Sequence, residues 1–166
     1  MAQARPDGYP ALTPYLMVRN AAAAIVFYRQ AFGARERMRL DAPGGRVGHA
    51  ELEIGESLIM LADEPPDHEN LGPEHGGDRS VSLHLFVDDV DAMARRAVAA
   101  GARPLRPVET QFYGDRLGTF ADPFGHVWHL ATHVEDVAPD ELKRRFAAMC
   151  SGKPAAHEDD GERSRA

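Results

Sequence analysis

The feature that most constrains the fold is an internal repeat, because the pattern of residues 11–62 starts again in residues 80–132. The matching segments are FGAR at 32–35 with AGAR at 100–103, MLA at 60–62 with HLA at 129–131, and Arg46-x-Gly48 plus Gly55 with Arg116-x-Gly118 plus Gly125 at a constant offset of 70. Each half reads strand, helix, strand, strand, strand. The sequence therefore predicts two copies of one βαβββ module.

The first helix of each half has start and stop signals at the same places. Asn20 is the candidate N-cap of a helix that ends at Gly33, and Asp89 is the candidate N-cap of one that ends at Gly101. A four-stranded sheet with one covering helix leaves its other face bare. Two such sheets side by side would form a curved, cup-shaped mixed sheet with a shared cavity, so the predicted fold class is α+β.

The chain reads as a single domain over residues 11–149. Its predicted parts are module one at 11–62, a linker at 63–79, module two at 80–132 and a C-terminal helix at 139–149. Residues 1–10 and 150–166 are predicted to be flexible tails, the second because it is polar and poor in aromatic residues.

Composition excludes several classes of function. The net charge of −7 argues against binding to nucleic acid or to anionic membranes. The single cysteine, Cys150, excludes an internal disulfide and every zinc motif built from several cysteines. With no apolar run that could serve as a signal peptide or membrane span, the expectation is a soluble cytoplasmic protein. There is also no nucleophile elbow, Walker loop or dinucleotide fingerprint.

A hairpin at Tyr113–Thr132 carries histidines where a strand usually has Val, Ile or Thr. We interpret Asp122-Pro123-Phe124-Gly125 as its turn and nothing more, because proline and glycine favour tight hairpins. His126 and His129 are three residues apart, so strand alternation points them to opposite faces and argues against a shared zinc ion. If His129 points into the cavity, Trp128 points toward the helix.

The same alternation groups other polar side chains by face. The pairs and triples that share a face are Thr13 with Tyr15, Ser82 with His84, and His49 with Glu51 and Glu53. For each of them a structural interpretation stays open: a histidine satisfied by a hydrogen bond in the core, or a sheet face that meets water. The functional interpretation is a polar group in the cavity, and a histidine there could act as acid or base.

Four segments carry a resemblance to a known family. They are LTPYLMVRNAAAAIVFYRQAFGAR, HAELEIGESLIMLADE, YGDRLGTFADPFGHVWHLAT and THVEDVAPDELKRR. Over residues 11–149 the chain resembles the vicinal oxygen chelate superfamily, which includes glyoxalase I, extradiol dioxygenases and bleomycin-resistance proteins, and within it the PhnB-like branch. The resemblance implies a cup-shaped sheet and a homodimer. It also places Tyr113 next to the mouth of the cavity.

The resemblance also implies where a metal would bind in the metal-dependent members. Their divalent ion is held by four side chains, one from the first strand and one from the last strand of each module. Those positions hold Thr13, Ile59 or Met60, Ser82 and His129 here. Only His129 is a ligand that such an ion prefers, so we expect no metal and no other cofactor.

Two functions follow from this interpretation. The first is binding of a small, partly apolar molecule in the cup, with the metal-ligand positions largely lost. The predicted pocket residues are Thr13, Tyr15, His49, Ser82, His84, Tyr113 and His129. The alternative is a glyoxalase-like lyase or isomerase, or a related metal-assisted enzyme, with His84 or His129 as the proton shuttle. The expected partners are the small-molecule ligand and a second copy of the chain, with no nucleic acid and no membrane.

Overall fold

Each predicted module is a four-stranded sheet with one helix in the computed structural model, which describes residues 8–65, 72–73 and 81–150. Module one consists of β1 (Tyr15–Val18), α1 (Ala21–Phe32), β2 (Arg35–Ala42), β3 (Arg46–Ile54) and β4 (Ser57–Asp63). Module two consists of β5 (Ser82–Phe86), α2 (Val90–Ala100), β6 (Arg103–Thr110), β7 (Asp115–Ala121) and β8 (Val127–His133), and α3 (Pro139–Cys150) follows it. The predicted α+β class with two tandem βαβββ modules is confirmed.

Both sheets have the same topology. The strand orders are β1-β4-β3-β2 and β5-β8-β7-β6. In each sheet the first strand pairs in parallel with the last, and the other pairs are antiparallel. The crossover from the first strand to the second runs through the helix, which packs on one face of its sheet. The opposite face of each sheet is called its cup face below.

The register of the hairpins corrects one detail of the repeat. Ala50 pairs with Leu61 in module one, and Gly118 pairs with Leu130 in module two. The offset is therefore 68 residues on the inner strand (118 − 50) and 69 on the last strand (130 − 61). Gly118 stands in the place of Ala50 and not of Gly48, so the constant offset of 70 along this strand was wrong.

The helix ends follow the predicted capping signals. The side chain of Asn20 accepts a hydrogen bond from the backbone N–H of Ala23, and Asp89 does the same for Ala92. Gly33 ends α1 with φ of 70°, in the left-handed region that glycine adopts without strain. Local signals alone thus define the limits of both module helices.

The two modules pack against each other at a junction between α1 and the β7–β8 hairpin. Aromatic rings of α1 contact the β7–β8 hairpin of module two: Phe27 with Phe124, Tyr28 with Phe124 and Trp128, and Phe32 with Trp128. All five of these side chains are buried. The strands belong to two separate hydrogen-bonded sheets, so the junction depends on side chains rather than on strand pairing.

A buried carboxylate lies at the centre of this junction. Oδ2 of Asp122 accepts hydrogen bonds from the Tyr28 hydroxyl (2.7 Å) and from the Trp128 indole nitrogen (3.0 Å). Oδ1 accepts from the backbone N–H groups of Phe124 and His126, both at 2.9 Å. Burial is the main reason that the pKa of Tyr28 lies above its usual value. The interpretation of this segment as a turn and nothing more was wrong, because its first residue joins the modules.

Some predictions fall on residues outside the described part of the chain. These are most of the flexible tails at 1–10 and 150–166 and most of the linker at 63–79. The C-terminal helix is present as α3. Within the described residues, no helix is long and apolar enough to cross a membrane.

Candidate ligand-binding site

Strand alternation places two side chains of β1 on the cup face of module one. Tyr15 and Met17 point to that face, while Leu16 and Val18 are buried toward α1. On β3, Ala50 and Leu52 are fully buried toward the helix in the same way. The apolar sets thus face the core, as alternation predicts, and the polar sets share the cup face.

Three of these cup-face side chains form a chain of polar contacts. The Tyr15 hydroxyl lies 2.8 Å from Nδ1 of His49. Nε2 of His49 lies 3.4 Å from Oε1 of Glu51, whose residue is only 2% exposed. Tyr15 as a residue is 48% exposed, so the chain leads from a half-exposed tyrosine to a buried carboxylate.

Two residues from elsewhere in module one complete the surroundings of Glu51. The Tyr9 hydroxyl donates to both carboxylate oxygens, at 2.9 and 3.0 Å. Nε of Arg37 lies 3.8 Å from Oε2, and its guanidinium lies 4.4 Å from the centre of the Tyr9 ring. The hydrogen bond to Glu51 raises the pKa of Tyr9, which keeps the phenol protonated as a donor. The buried Glu51 carboxylate therefore has hydrogen-bond donors close to both of its oxygens.

A cavity of about 600 Å³ opens beside Tyr15 on the cup face. Its lining residues are Tyr15, Met17, Ala42, Arg46, Val47, Gly48, Ala62, Asp63 and Pro65. Both carboxylate oxygens of Asp63 accept backbone N–H groups, from Ala21 and Val47. The wall is therefore mostly apolar or small, with few polar groups left to meet a ligand.

The cup face of module two holds a second histidine site. Nε2 of His129 lies 3.0 Å from the Ser82 hydroxyl, and Nδ1 lies 3.0 Å from the Thr119 hydroxyl. The His84 ring lies 6.1 Å from that of His129. Burial, followed by the charges of His84 and Arg106, holds the pKa of His129 below its usual value. His129 is thus a neutral imidazole between two hydroxyl groups near pH 7.

A smaller cavity of about 230 Å³ lies where the two modules meet. It is lined by Pro10, Leu12, Pro14, Ile54, Glu56, Ser57, Leu58, Ile59, Leu83, His84, Leu85 and Trp128. His84 is the single predicted pocket residue among them, and its ring also packs against Phe86 at 4.6 Å. This cavity is predominantly apolar.

The structure places the seven predicted pocket residues in separate groups. Tyr15 and His49 share the cup face of module one, whereas Ser82, His84 and His129 share that of module two. Thr13 precedes β1, half-buried, and lines neither of the two cavities described above. Tyr113 packs against Phe112, whose ring contacts Phe146 of α3. Burial raises the pKa of Tyr113.

Sequence reasoning missed several residues around these groups. Tyr9 and Arg37 had no signal, since each meets Glu51 only through the folding of distant segments. The carboxylate partners of His133 were also missed: its Nδ1 lies 2.7 Å from Asp115 and its Nε2 lies 2.9 Å from Asp136. These contacts, with Asp115 first, raise the pKa of His133. A carboxylate on each ring nitrogen favours the charged imidazole.

The positions that the family resemblance implies for a metal do not fit a divalent ion. They offer the Thr13 and Ser82 hydroxyls, Met60 or Ile59, and the imidazole of His129. Both ring nitrogens of His129 already lie at hydrogen-bond distance from hydroxyl groups. Among the described residues, no group of three or more His, Cys, Asp or Glu side chains could hold a metal ion.

The fold and the paired cup faces define a class of tandem βαβββ proteins. The sequence model of the Glyoxalase/Bleomycin resistance protein/Dioxygenase superfamily matches residues 11–130, and the chain belongs to this superfamily. It is 42% identical to uncharacterized protein Rv0887c of Mycobacterium tuberculosis over 146 residues, which is 86% of each chain.

Solved structures share the fold. TioX from Micromonospora sp. ML1 superposes with a TM-score of 0.60 at 26% identity, over 75% of this chain and 99% of that chain. The PhnB protein from Bacillus cereus superposes with a TM-score of 0.59 at 18% identity, over 74% of this chain and 99% of that chain. At 18% identity, the similarity to the PhnB protein shows a shared fold and nothing more.

Proposed function

We propose that the protein binds a small, partly apolar molecule on the cup face of module one, in the cavity beside Tyr15. The observation that carries the proposal is that cavity, with a volume of about 600 Å³. Pockets of several hundred Å³ that are mostly apolar, with few polar groups, are typical of small-molecule sites. Tyr15, which lines the cavity and whose hydroxyl lies 2.8 Å from Nδ1 of His49, supplies the orienting polar group.

The proposal includes a homodimer and action without a metal or other cofactor. Large apolar side chains are exposed on or beside the cup faces, among them Phe86 at 59% and Leu40 at 56%. A second copy that covered them would remove this apolar area from water and deepen the cups. The proposed setting is the cytoplasm, and the proposed branch is PhnB-like, which rests on the sequence resemblance and the shared fold.

Cavity filling tests the binding function. The probes are metabolites and aromatic antibiotics that raise the melting temperature in a thermal-shift screen, with dissociation constants then measured by calorimetry. Met17→Trp fills the cavity and should weaken binding about tenfold or more, since the ligand would lose its apolar contacts. Met149→Trp, on exposed α3, is the matched control and should bind as the unchanged protein does. Equal affinity in both variants would contradict the proposed site.

The oligomeric state is tested separately by light scattering after size exclusion. The expected mass is twice that of the chain. Phe86→Asp should shift the mass toward that of one chain, because a charge would be buried in the contact. Phe146→Asp on α3 is the matched exposed control. A single-chain mass for the unchanged protein would exclude the dimer.

A second proposed function is a glyoxalase-like lyase or isomerase. The observation that favours it is the pair His84 and His129 on one face, of which His129 has a lowered pKa and can accept a proton near pH 7. His84→Ala and His129→Ala should then lose turnover of an aldehyde, a thiol adduct or a catechol. If the two variants lose ligand affinity while the unchanged protein turns over none of these three kinds of substrate, the enzyme function is excluded for those substrates. Metal analysis of untagged protein completes the test.

A further inference from the structure

The contacts of Tyr15, His49 and Glu51 follow the order of groups found in general-base sites. The hydroxyl of a half-exposed tyrosine meets an imidazole, and the far nitrogen of the imidazole meets the carboxylate of a buried residue. In such sites the imidazole takes the hydroxyl proton, and the carboxylate fixes its tautomer and stabilises the imidazolium that forms. The first residue of this chain, Tyr15, is one of the residues that line the cavity.

The surrounding donors determine which way the protons point. A carboxylate only accepts hydrogen bonds, and Glu51 already accepts from Tyr9 with Arg37 nearby. Nε2 of His49 therefore carries the hydrogen that faces Glu51, and Nδ1 is left as an acceptor. The Tyr15 hydroxyl donates to Nδ1, which leaves the oxygen of this cavity-lining residue able to accept a proton.

Module two shows that the fold does not require this carboxylate. Thr119 pairs with His129 across the sheet as Glu51 pairs with Met60, so Thr119 stands in the place of Glu51. The two ring nitrogens of His129 lie at hydrogen-bond distance from the hydroxyls of Ser82 and Thr119, with no carboxylate among these contacts. Burying a carboxylate costs free energy, and the second copy of the module folds with a neutral residue at that position. The carboxylate in module one is therefore a feature of the site.

We infer that Tyr15, His49 and Glu51 form a proton relay that takes a proton from a weakly acidic hydroxyl, such as a phenol or enol, of a molecule in the adjoining cavity. The ligand O–H bond breaks and its proton passes to the Tyr15 oxygen, while the Tyr15 proton passes to Nδ1 of His49. The ligand becomes an oxyanion, and the imidazolium is stabilised by Glu51. Tyr15 and His49 are the catalytic residues, and Glu51 is a positioning residue. The inference rests on the proposed ligand site.

The relay can be tested without knowing the ligand, with the aryl electrophile dansyl fluoride. The Tyr15 oxygen attacks sulfur, an O–S bond forms, the S–F bond breaks, fluoride leaves and the phenolic proton passes to His49. Burial raises the pKa of Tyr15, so the free phenol would react slowly without a base. Peptide mass spectrometry compares Tyr15 with Tyr113, a half-buried tyrosine of the same molecule.

Two histidine variants separate a base from a hydrogen-bond partner. His49→Gln keeps an acceptor for the Tyr15 hydroxyl but cannot take its proton, and His49→Phe removes both functions. Both should slow Tyr15 labelling about tenfold or more, since general bases contribute at least that much. A merely structural His49 predicts unchanged or faster labelling, because the hydroxyl would be released. His133→Gln, at a different histidine, is the control that should label as the unchanged protein does.

The carboxylate is tested with Glu51→Gln and the conservative Glu51→Asp, with melting temperatures recorded to verify folding. Glu51→Gln should slow Tyr15 labelling several-fold, and Glu51→Asp should retain more of the rate. Absence of Tyr15 labelling in the unchanged protein, or equal rates in His49→Gln, would overturn the relay. If the relay fails in this way, ligand binding in the cavity is unaffected. If the binding proposal fails, Met17→Trp and Met149→Trp bind the ligand with equal affinity.

Discussion

The buried carboxylate of Asp122 is the point at which a small change should most weaken the pairing of the two modules. Asp122→Asn keeps the size of the side chain and can keep the Oδ1 bonds to backbone. It replaces Oδ2 by an amide NH₂ that faces the Trp128 indole N–H, a donor against a donor. The Tyr28 hydroxyl can rotate to accept, but it loses a charged acceptor at 2.7 Å.

The magnitude follows from these two contacts. A hydrogen bond to a charged group contributes about 1.5–3 kcal/mol, and a buried donor without a partner costs about 1–3 kcal/mol. Because the Tyr28 hydroxyl keeps a neutral partner by rotating, Asp122→Asn should lower the free energy of unfolding by less than the sum of these values, by about 2–4 kcal/mol. Tyr28→Phe, which removes one donor and leaves the carboxylate its other partners, should cost about 1.5–3 kcal/mol.

Urea unfolding followed by circular dichroism and by fluorescence measures both variants. Trp128 is the single tryptophan and lies at the junction, so its emission reports on the contact between modules. The double variant should cost less than the sum of the single variants, because both changes remove the same bond. Asp41→Asn, at an exposed ion pair with Arg39, is the control and should change stability by less than about 0.5 kcal/mol. Additive effects, or an Asp122→Asn variant as stable as the unchanged protein, would refute the reasoning.

Three further predictions concern histidine titration, stability as a function of pH, and the backbone. Nuclear magnetic resonance should find that His133 titrates above 6.5 and His129 below it, and the reverse order would contradict their surroundings. Because the pKa of His133 is raised on folding, its stabilising contribution should be present below pH 6.5 and lost as pH rises through the folded pKa; the melting temperature of His133→Gln relative to the unchanged protein checks this. Gly114→Ala should cost more than about 2 kcal/mol in urea unfolding, since at φ of 97° its new Cβ would overlap the Glu135 carbonyl. Gly44→Ala, at φ of 78° with open space, should cost only about 1 kcal/mol, and equal costs would exclude the overlap.

The elements that the sequence predicts well are those with local signals. Helix α1 has the expected limits because Asn20 caps its start and Gly33 ends it, and both signals lie next to the helix itself. Alternation likewise separates Trp128, which is buried, from His129, which faces the cup. Neither inference needs knowledge of the rest of the chain.

The parts that the sequence does not reveal depend on contacts between distant segments. Tyr9 reads as part of a tail, yet it covers Glu51, which is 42 residues away. Asp122 reads as a turn residue because its neighbours are Pro and Gly, while its partner Tyr28 is 94 residues away. Strand alternation assigns a side chain to one face of the sheet but does not say what covers that face. The sequence therefore could not decide whether Glu51 faces solvent or the cavity.

The junction also gives the two halves of the chain different, complementary surfaces. The eighth residue after the N-cap is Tyr28 in α1 and Ala97 in α2. In the register of the hairpins, Ile54 of the first half stands in the place of Asp122. A half paired with a copy of itself would thus have two phenols without an acceptor, or two buried carboxylates without phenols. The two copies of the repeat carry complementary junction groups, so separately expressed halves should assemble with each other in preference to themselves.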